Sequence, residues 1–290
     1  MKKIKVLISR VIIKLSKKRL IHFTVNPQVK TVFLMGMFRS GTSLTCQILL
    51  KNGLNLGPKW RLLQGKGRLK KLNPNGFFED FLYANLARYW IHTLGKSGAH
   101  PPTKEEVKKI TLAPINISKF IRFAEFTSPD DRISYFNRHR AYLWLLLKKE
   151  KAFYAPKQDI VKIPMLLLFH EQIKAWVPNA KFLIIIRNPE STIKSSRILT
   201  SEASIELYNH YYSFLKQMYD SNQNEAWVLS YDNLLKNPES STKMVTSVLN
   251  ATFNAESIEL IDPKLIRNAS DNEVFSDEYQ YLYSQTINKT

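Results

Sequence analysis

Short apolar runs and amphipathic stretches alternate along most of this chain. Thr31 to Met35 is apolar and β-branched, Gly36 to Thr42 is a glycine-bounded loop, and Ser43 to Lys51 has helical spacing, which predicts strand, loop, helix. The alternation resumes with a short strand at Asp159–Lys162, a helix from Met165 to Val177 after Pro164, and Lys181–Ile186, the most strand-like run in the chain. An amphipathic helix at Ser204–Tyr219, a buried strand at Ala226–Ser230 and a turn at Tyr231–Pro238 into a helix at Glu239–Leu249 follow. Strands alternating with helices predict a parallel sheet, with ligands held beyond the carboxyl ends of its strands.

Between the first strand and the rest lie less regular stretches. Gly53 to Leu72 is basic and glycine-punctuated and reads as a mobile surface segment near the loop, either a solvated charge run or a stretch that receives a negatively charged acceptor. Asn73-Pro74 and Asn75-Gly76 mark a turn, Phe77 and Phe78 anchor it by burial, and Glu79 and Asp80 are predicted to open a helix through Leu82, Leu86, Tyr89 and Trp90. Acids in a first helical turn are favoured by the dipole, so this pair has a structural explanation as well as a chemical one. From Gly95 to Lys149, prolines at 101, 102, 114 and 129 separate helical pieces, the longest at Asp130–Lys149, and the region reads as an inserted helical lobe. Residues from about Thr252 to Thr290 are polar and helical in part.

A length of 290 residues with 44% apolar content fits one globular domain better than two. The single cysteine, Cys46, excludes an internal disulfide framework and a zinc cluster of cysteines, and suits a reducing, cytoplasmic setting. The net charge of +19 is uneven: seventeen Lys and Arg precede the first acid, Glu79, and nine of them fall in residues 1–30. Such a surface attracts an anionic ligand, an acidic lipid surface or, without specificity, nucleic acid. In residues 1–25, Ile4, Leu7, Ile8, Val11 and Leu15 fall at helical spacing with lysines between them, as in a basic helix on an anionic membrane or a short helix on the domain's flank. Arg10 and Lys14 break the apolar run, leaving no span or signal segment.

The loop carries the first chemistry. Gly36-x-x-x-x-Gly41 has the Walker A spacing, which turns backbone N–H groups toward a phosphate at the positive end of the following helix. Thr42 and Ser43 follow Gly41, so the Walker lysine is absent, and Arg39 stands inside the loop. Arginine's planar fork suits a phosphate or sulfate without a metal beside it. After Lys181–Ile186, where a magnesium-dependent NTPase offers an aspartate, the chain has Arg187. Arg187 and Ser195, two turns into the next predicted helix, can meet one phosphate from two sides. The expected fold is therefore α/β, a P-loop NTPase-like parallel sheet flanked by helices with the lobe inserted at about 95–149. A domain over 30–290 is preceded by the basic segment 1–29.

Five segments in matching order resemble the PAPS-dependent sulfotransferase family, its bacterial and Golgi-like members in particular: GMFRSGTS (Gly36–Ser43), NPNGFFED (Asn73–Asp80), PNAKFLIII (Pro178–Ile186), RNPESTIKSS (Arg187–Ser196) and SYDNLLKNP (Ser230–Pro238). The resemblance implies 3′-phosphoadenosine 5′-phosphosulfate (PAPS) as donor, adenosine 3′,5′-bisphosphate (PAP) as product and no metal. Arg39, Ser40, Gly41, Thr42 and Ser43 would hold the 5′ end, and Arg187 and Ser195 the 3′-phosphate. It also implies Glu79 as the base that takes a proton from an acceptor hydroxyl, on a glycan, a glycolipid or a small alcohol, with Arg39 neutralising developing charge. Phe38 stands where the family often has proline, Asn188 where it often has aspartate, and the late glycine-and-lysine segment of cytosolic members is absent. His92 and His100 are the alternative bases, and Lys162, at a strand end, either contacts sulfate or acceptor or is an ordinary exposed lysine. The rival readings are a P-loop kinase or NTPase, disfavoured by the missing lysine and by Arg187, and a noncatalytic basic protein binding membrane or nucleic acid through residues 1–71.

Overall fold

The structure is a computed structural model and describes residues 11–288 apart from 12–13, 16, 26, 64–72, 74–75, 127–151, 154–157 and 263–275. Its strands, in chain order, are β1 (Leu20–Phe23), β2 (Val32–Met35), β3 (Ile115–Asn116), β4 (Ala152–Phe153), β5 (Ile160–Lys162), β6 (Lys181–Ile186) and β7 (Ala226–Ser230). The main sheet has the order β5-β2-β6-β7 with every pairing parallel. The chain leaves β2 toward β5 but leaves β6 toward β7, so the topological switch lies between β2 and β6, the position where such sheets open a ligand crevice.

Burial explains why these runs became strands. Phe182 to Ile186 are all fully buried, as expected of a central parallel strand covered on both faces. Period-two alternation divides the core: Phe33, Met35, Phe182, Ile184 and Val228 face one apolar cluster, and Leu34, Leu183, Ile185 and Leu229 face the other. The second cluster is completed by α1 (Thr42–Lys51) through Leu44, Cys46, Ile48 and Leu49. The first is covered by α2 (Phe81–Thr93) and by the segment after β5.

That segment departs from the predicted Met165–Val177 helix. Pro164–Phe169 is a 3-10 turn, and the α-helix proper, α4, is His170–Trp176. Leu166, Leu167, Leu168 and Phe169 are all buried, a consecutive run that no one-sided surface helix accommodates. Between them in sequence, α3 (Ile117–Phe126) packs Phe120 and Phe123 against the Tyr89 ring of α2, with centroids 5.7 and 5.4 Å apart. The predicted helix Asp130–Lys149 lies outside the described residues. Beyond β6 come α5 (Pro189–Ser196), α6 (Ile205–Asp220), α7 (Tyr231–Lys236), α8 (Pro238–Val248) and α9 (Asp277–Ser284).

Three further expectations change. Leu20–Phe23, read as part of the amphipathic segment, is a strand: β1 pairs antiparallel with β3 and parallel with β4, and Ile21 is buried in the core. Gly53–Leu72 is not simply a solvated segment, because Lys59–Arg61 form a 3-10 turn and Arg61, Leu62 and Leu63 are buried. Glu79 and Asp80 are not in a first helical turn; α2 starts at Phe81, and Asp80 is its N-cap, accepting the Leu82 N–H at 2.9 Å. No helix among the described residues is long and apolar enough to cross a membrane.

Cys46 is fully buried, and burial pushes its thiol up to about 12, with Lys162 pulling it down and Glu79 pushing it up as smaller effects. The thiolate is the reactive species. At pH 8 the folded protein is therefore expected to leave a chromogenic disulfide reagent unreduced and to titrate as one thiol per chain only after denaturation. Rapid native labelling would show that α1 does not seat this face on the sheet.

Candidate active site

The loop between β2 and α1 is built around two tight approaches. A Cβ at Gly36 would lie 2.7 Å from both the Ile185 carbonyl oxygen and Ser40 Oγ. Gly41 has φ 94° and caps α1 without a side-chain hydrogen bond. Any Cβ there would meet the Tyr231 ring at 2.0 Å. The first turn of α1 holds no acid, so no carboxylate in that turn offsets its orphan N–H groups and positive dipole end. Ser40 is fully buried, donating to the Met37 carbonyl at 2.7 Å, and this bond holds the loop's shape. Thr42 is also buried, while Ser43 turns its Oγ to within 3.4 Å of Lys162 Nζ.

Arg39 and Arg187 come together at the crevice. Arg39 Nε donates to Ser195 Oγ at 3.0 Å, and Arg187 Nη1 donates to the Arg39 carbonyl at 3.0 Å. Arg39 itself sits at φ 70°, a left-handed conformation that non-glycine residues adopt at a cost of about 1–3 kcal/mol. Ser196 Oγ reaches the Phe38 carbonyl at 3.4 Å, so α5 is tied to the loop at two adjacent positions. Arg187 is buried, its Nε has no hydrogen-bond partner among the described residues, and its guanidinium carbon lies 5.0 Å from the centre of the Tyr231 ring.

The backbone at the end of β6 is fixed from outside. Tyr208 and Tyr212, stacked 4.0 Å apart, both donate to the Arg187 carbonyl at 3.0 and 3.2 Å. Burial pushes both phenols up, so they remain neutral donors. The Arg187 N–H donates to Tyr212 Oη at 3.1 Å, and the Asn188 N–H to Asp232 Oδ2 at 2.6 Å. Asn188 then caps α5 by accepting the Ser191 N–H at 3.0 Å.

The third component approaches from the Phe77–Asp80 segment. Glu79 Oε1 accepts from Lys162 Nζ at 2.9 Å, with side chains 15% and 2% exposed. Lys162, at the carboxyl end of β5, also donates to the Phe77 carbonyl at 3.0 Å. The segment is pinned to the chain before it: Leu63 N–H donates to the Glu79 carbonyl at 2.8 Å, and Phe77 and Phe78 N–H to the Leu63 carbonyl at 3.0 and 3.2 Å. Arg61 Nε pairs with Asp80 Oδ2 at 2.8 Å, and Gln158 donates to the same oxygen at 3.2 Å. Burial pushes the Asp80 carboxyl up, against the opposing pull of Arg61 and the Leu82 N–H. Phe78 adopts φ 56°, so two of the three non-glycine left-handed residues among those described, Arg39 and Phe78, stand at this site. Strain of this kind concentrates where function holds it in place.

Contacts therefore link Arg39 to Ser195 and Arg187, and link Ser43 through Lys162 to Glu79. Lys162 is buried against Glu79 and is not an ordinary exposed lysine. Of the alternative bases, His92 lies at the far end of α2 against Phe123, about 20 Å of helix from Glu79. His100 is mostly exposed beside Glu202, with Nε2 3.5 Å from its carboxylate. Sequence reasoning missed the roles of Tyr231, Asp232 and the Tyr208–Tyr212 pair; the first two stand in the SYDNLLKNP segment, and spacing alone gives no signal for the tyrosines on α6. Among the described residues no group of three or more His, Cys, Asp or Glu is gathered as a metal site would require.

Solved structures similar to this chain include three sulfotransferases. The sulfotransferase domain of the curacin biosynthetic pathway shares 14% identity, covering 89% of this chain and 97% of that one with a TM-score of 0.45. The sulfotransferase domain of the Synechococcus PCC 7002 olefin synthase shares 16%, covering 90% and 94% with a TM-score of 0.47. Sulfotransferase STF9 from Mycobacterium avium shares 15%, covering 89% and 75% with a TM-score of 0.39. No curated protein matches the sequence. A family model described as the sulfotransferase family matches residues 31–255, a span that takes in the loop, the Glu79–Lys162 pair, Arg187 with Ser195, and the Tyr231 segment. The chain belongs to the sulfotransferase family.

Proposed function

We propose that this chain transfers a sulfuryl group from PAPS to an acceptor hydroxyl on a glycan, a glycolipid or a smaller alcohol. The observation that supports it most is the meeting of two arginines at the switch between β2 and β6, beside a carboxylate–lysine pair at the end of β5. A donor with two separated anionic ends fits those residues. The loop leads into a helix whose first turn holds no acid, and the buried Arg187 guanidinium has an Nε with no hydrogen-bond partner among the described residues. When bound, the donor supplies the activated sulfuryl group.

The chain's own residues supply the rest. Arg39, Ser40, Gly41, Thr42 and Ser43 hold the 5′ end, and Arg187 and Ser195 hold the 3′-phosphate. Glu79 accepts the proton of the acceptor hydroxyl. Lys162 keeps that carboxylate aimed and, 3.4 Å from Ser43 Oγ, places a cation where negative charge grows as the acceptor oxygen attacks. Arg39 and the loop N–H groups stabilise the departing bridging oxygen. The basic N-terminal segment supports an acceptor presented on an anionic inner membrane face: Val11 and Leu15, one turn apart, are 49% and 60% exposed, with Lys14, Lys17 and Lys18 exposed beside them.

Titration with PAP is the direct test of the donor site. Saturation at 100 times Kd is expected to stabilise the fold by about 2.7 kcal/mol without magnesium, with the affinity falling as salt rises. Stabilisation by ATP only with magnesium, and none by PAP, would revive the kinase reading. Transfer of labelled sulfate to fractionated glycolipids in anionic vesicles, followed by mass detection, identifies the acceptor.

A further inference from the structure

We propose that Tyr231 is a positioning residue that couples the phosphate loop to Arg187, so that one nucleotide is gripped at both phosphorylated ends together. Tyr231 immediately follows β7, where its neighbours are fixed: Ser230 Oγ accepts the Asn233 N–H, and the Asn288 side chain bonds both the N–H and the carbonyl of Ser230. On one side the ring fills the space that Gly41 leaves by lacking a Cβ. On another it lies under the Arg187 guanidinium at 5.0 Å. Arg187 in turn donates to the Arg39 carbonyl, closing a circuit of contacts from Gly41 through Tyr231 and Arg187 back to the loop.

The circuit has a physical consequence. The ring's π face attracts the cation and limits its rotamers, while its edge sets how closely the loop can approach. Displacing the ring therefore moves the loop and Arg187 at once, although Tyr231 itself need touch neither phosphate. Asp232, holding the Asn188 N–H, fixes the same junction from the next residue.

The inference rests on the donor reading above, and its test separates the two. Calorimetry gives Kd for PAP and for AMP, which carries the 5′ end alone, and the ratio of the two measures the benefit of gripping both ends. In Tyr231→Leu this ratio is expected to fall about tenfold, and Tyr231→Phe, which keeps the ring, is expected to restore it. Tyr231→Met is a second variant without a π face should the leucine variant fail to fold. A purely structural role would lower the melting temperature and weaken both ligands alike; an unchanged ratio in Leu or Met variants overturns the coupling alone. A wild-type protein that binds PAP no better than AMP overturns the donor reading and the coupling with it.

Discussion

Replacing Glu79 with glutamine is expected to lower turnover at least about a hundredfold while PAP binding stays within a few-fold of wild type. A positioned general base contributes about 10²–10⁴-fold, and the amide keeps the size of the side chain and an oxygen for Lys162 Nζ, which the carboxylate holds at 2.9 Å. The loss should therefore appear in kcat and in kcat/KM together, as for a contact made in the transition state. Single-turnover measurement with a saturated donor separates this from slow product release. Full activity in Glu79→Gln would remove the base from this position; His92 would be a poor replacement, because it lies at the other end of α2.

The second large effect is on stability. Asp80→Ala leaves the buried Arg61 guanidinium without its carboxylate and removes the cap of α2. Breaking a buried pair on one side costs about 3–5 kcal/mol, and loss of an N-cap side chain about 1 kcal/mol. The urea midpoint should fall accordingly with an unchanged slope. Removing both partners, as Arg61→Met with Asp80→Leu, is expected to recover much of the loss but not the cap. If the single variant unfolds at the wild-type midpoint, the pair does not hold the Phe77–Asp80 segment as the geometry indicates. Because Glu79 adjoins Asp80, a loosened segment should also lower turnover.

Much of this molecule can be read before folding, for physical reasons. A strand such as Lys181–Ile186, buried on both faces, must be apolar throughout, and a loop that brings backbone against Ile185 and Tyr231 must use glycine at 36 and 41. Arg187 was visible because its place was fixed by the end of that strand. What escaped was set by partners distant in sequence. β1 is four residues long and becomes a strand only through β3 and β4. Lys162 is buried with its ammonium donating to Glu79, 83 positions away, and to the Phe77 carbonyl. Asp80 reads equally well as a first-turn acid or a cap, and the pairing of Leu62 with Asp80 decided it. The left-handed Phe78 has no signal in its residue type, which disfavours that conformation.

β1 also ties the beginning of the chain to its middle. Its partners Asn116 and Ala152 follow Leu20 and His22 by roughly 100 and 130 positions. At about 5–20 residues per second on the ribosome, the nascent strand waits on the order of ten seconds with Ile21 uncovered before the last of its neighbours has been synthesised. Chaperone binding early in translation, and failure of fragments that start after Phe23 to form the small sheet, follow from that delay.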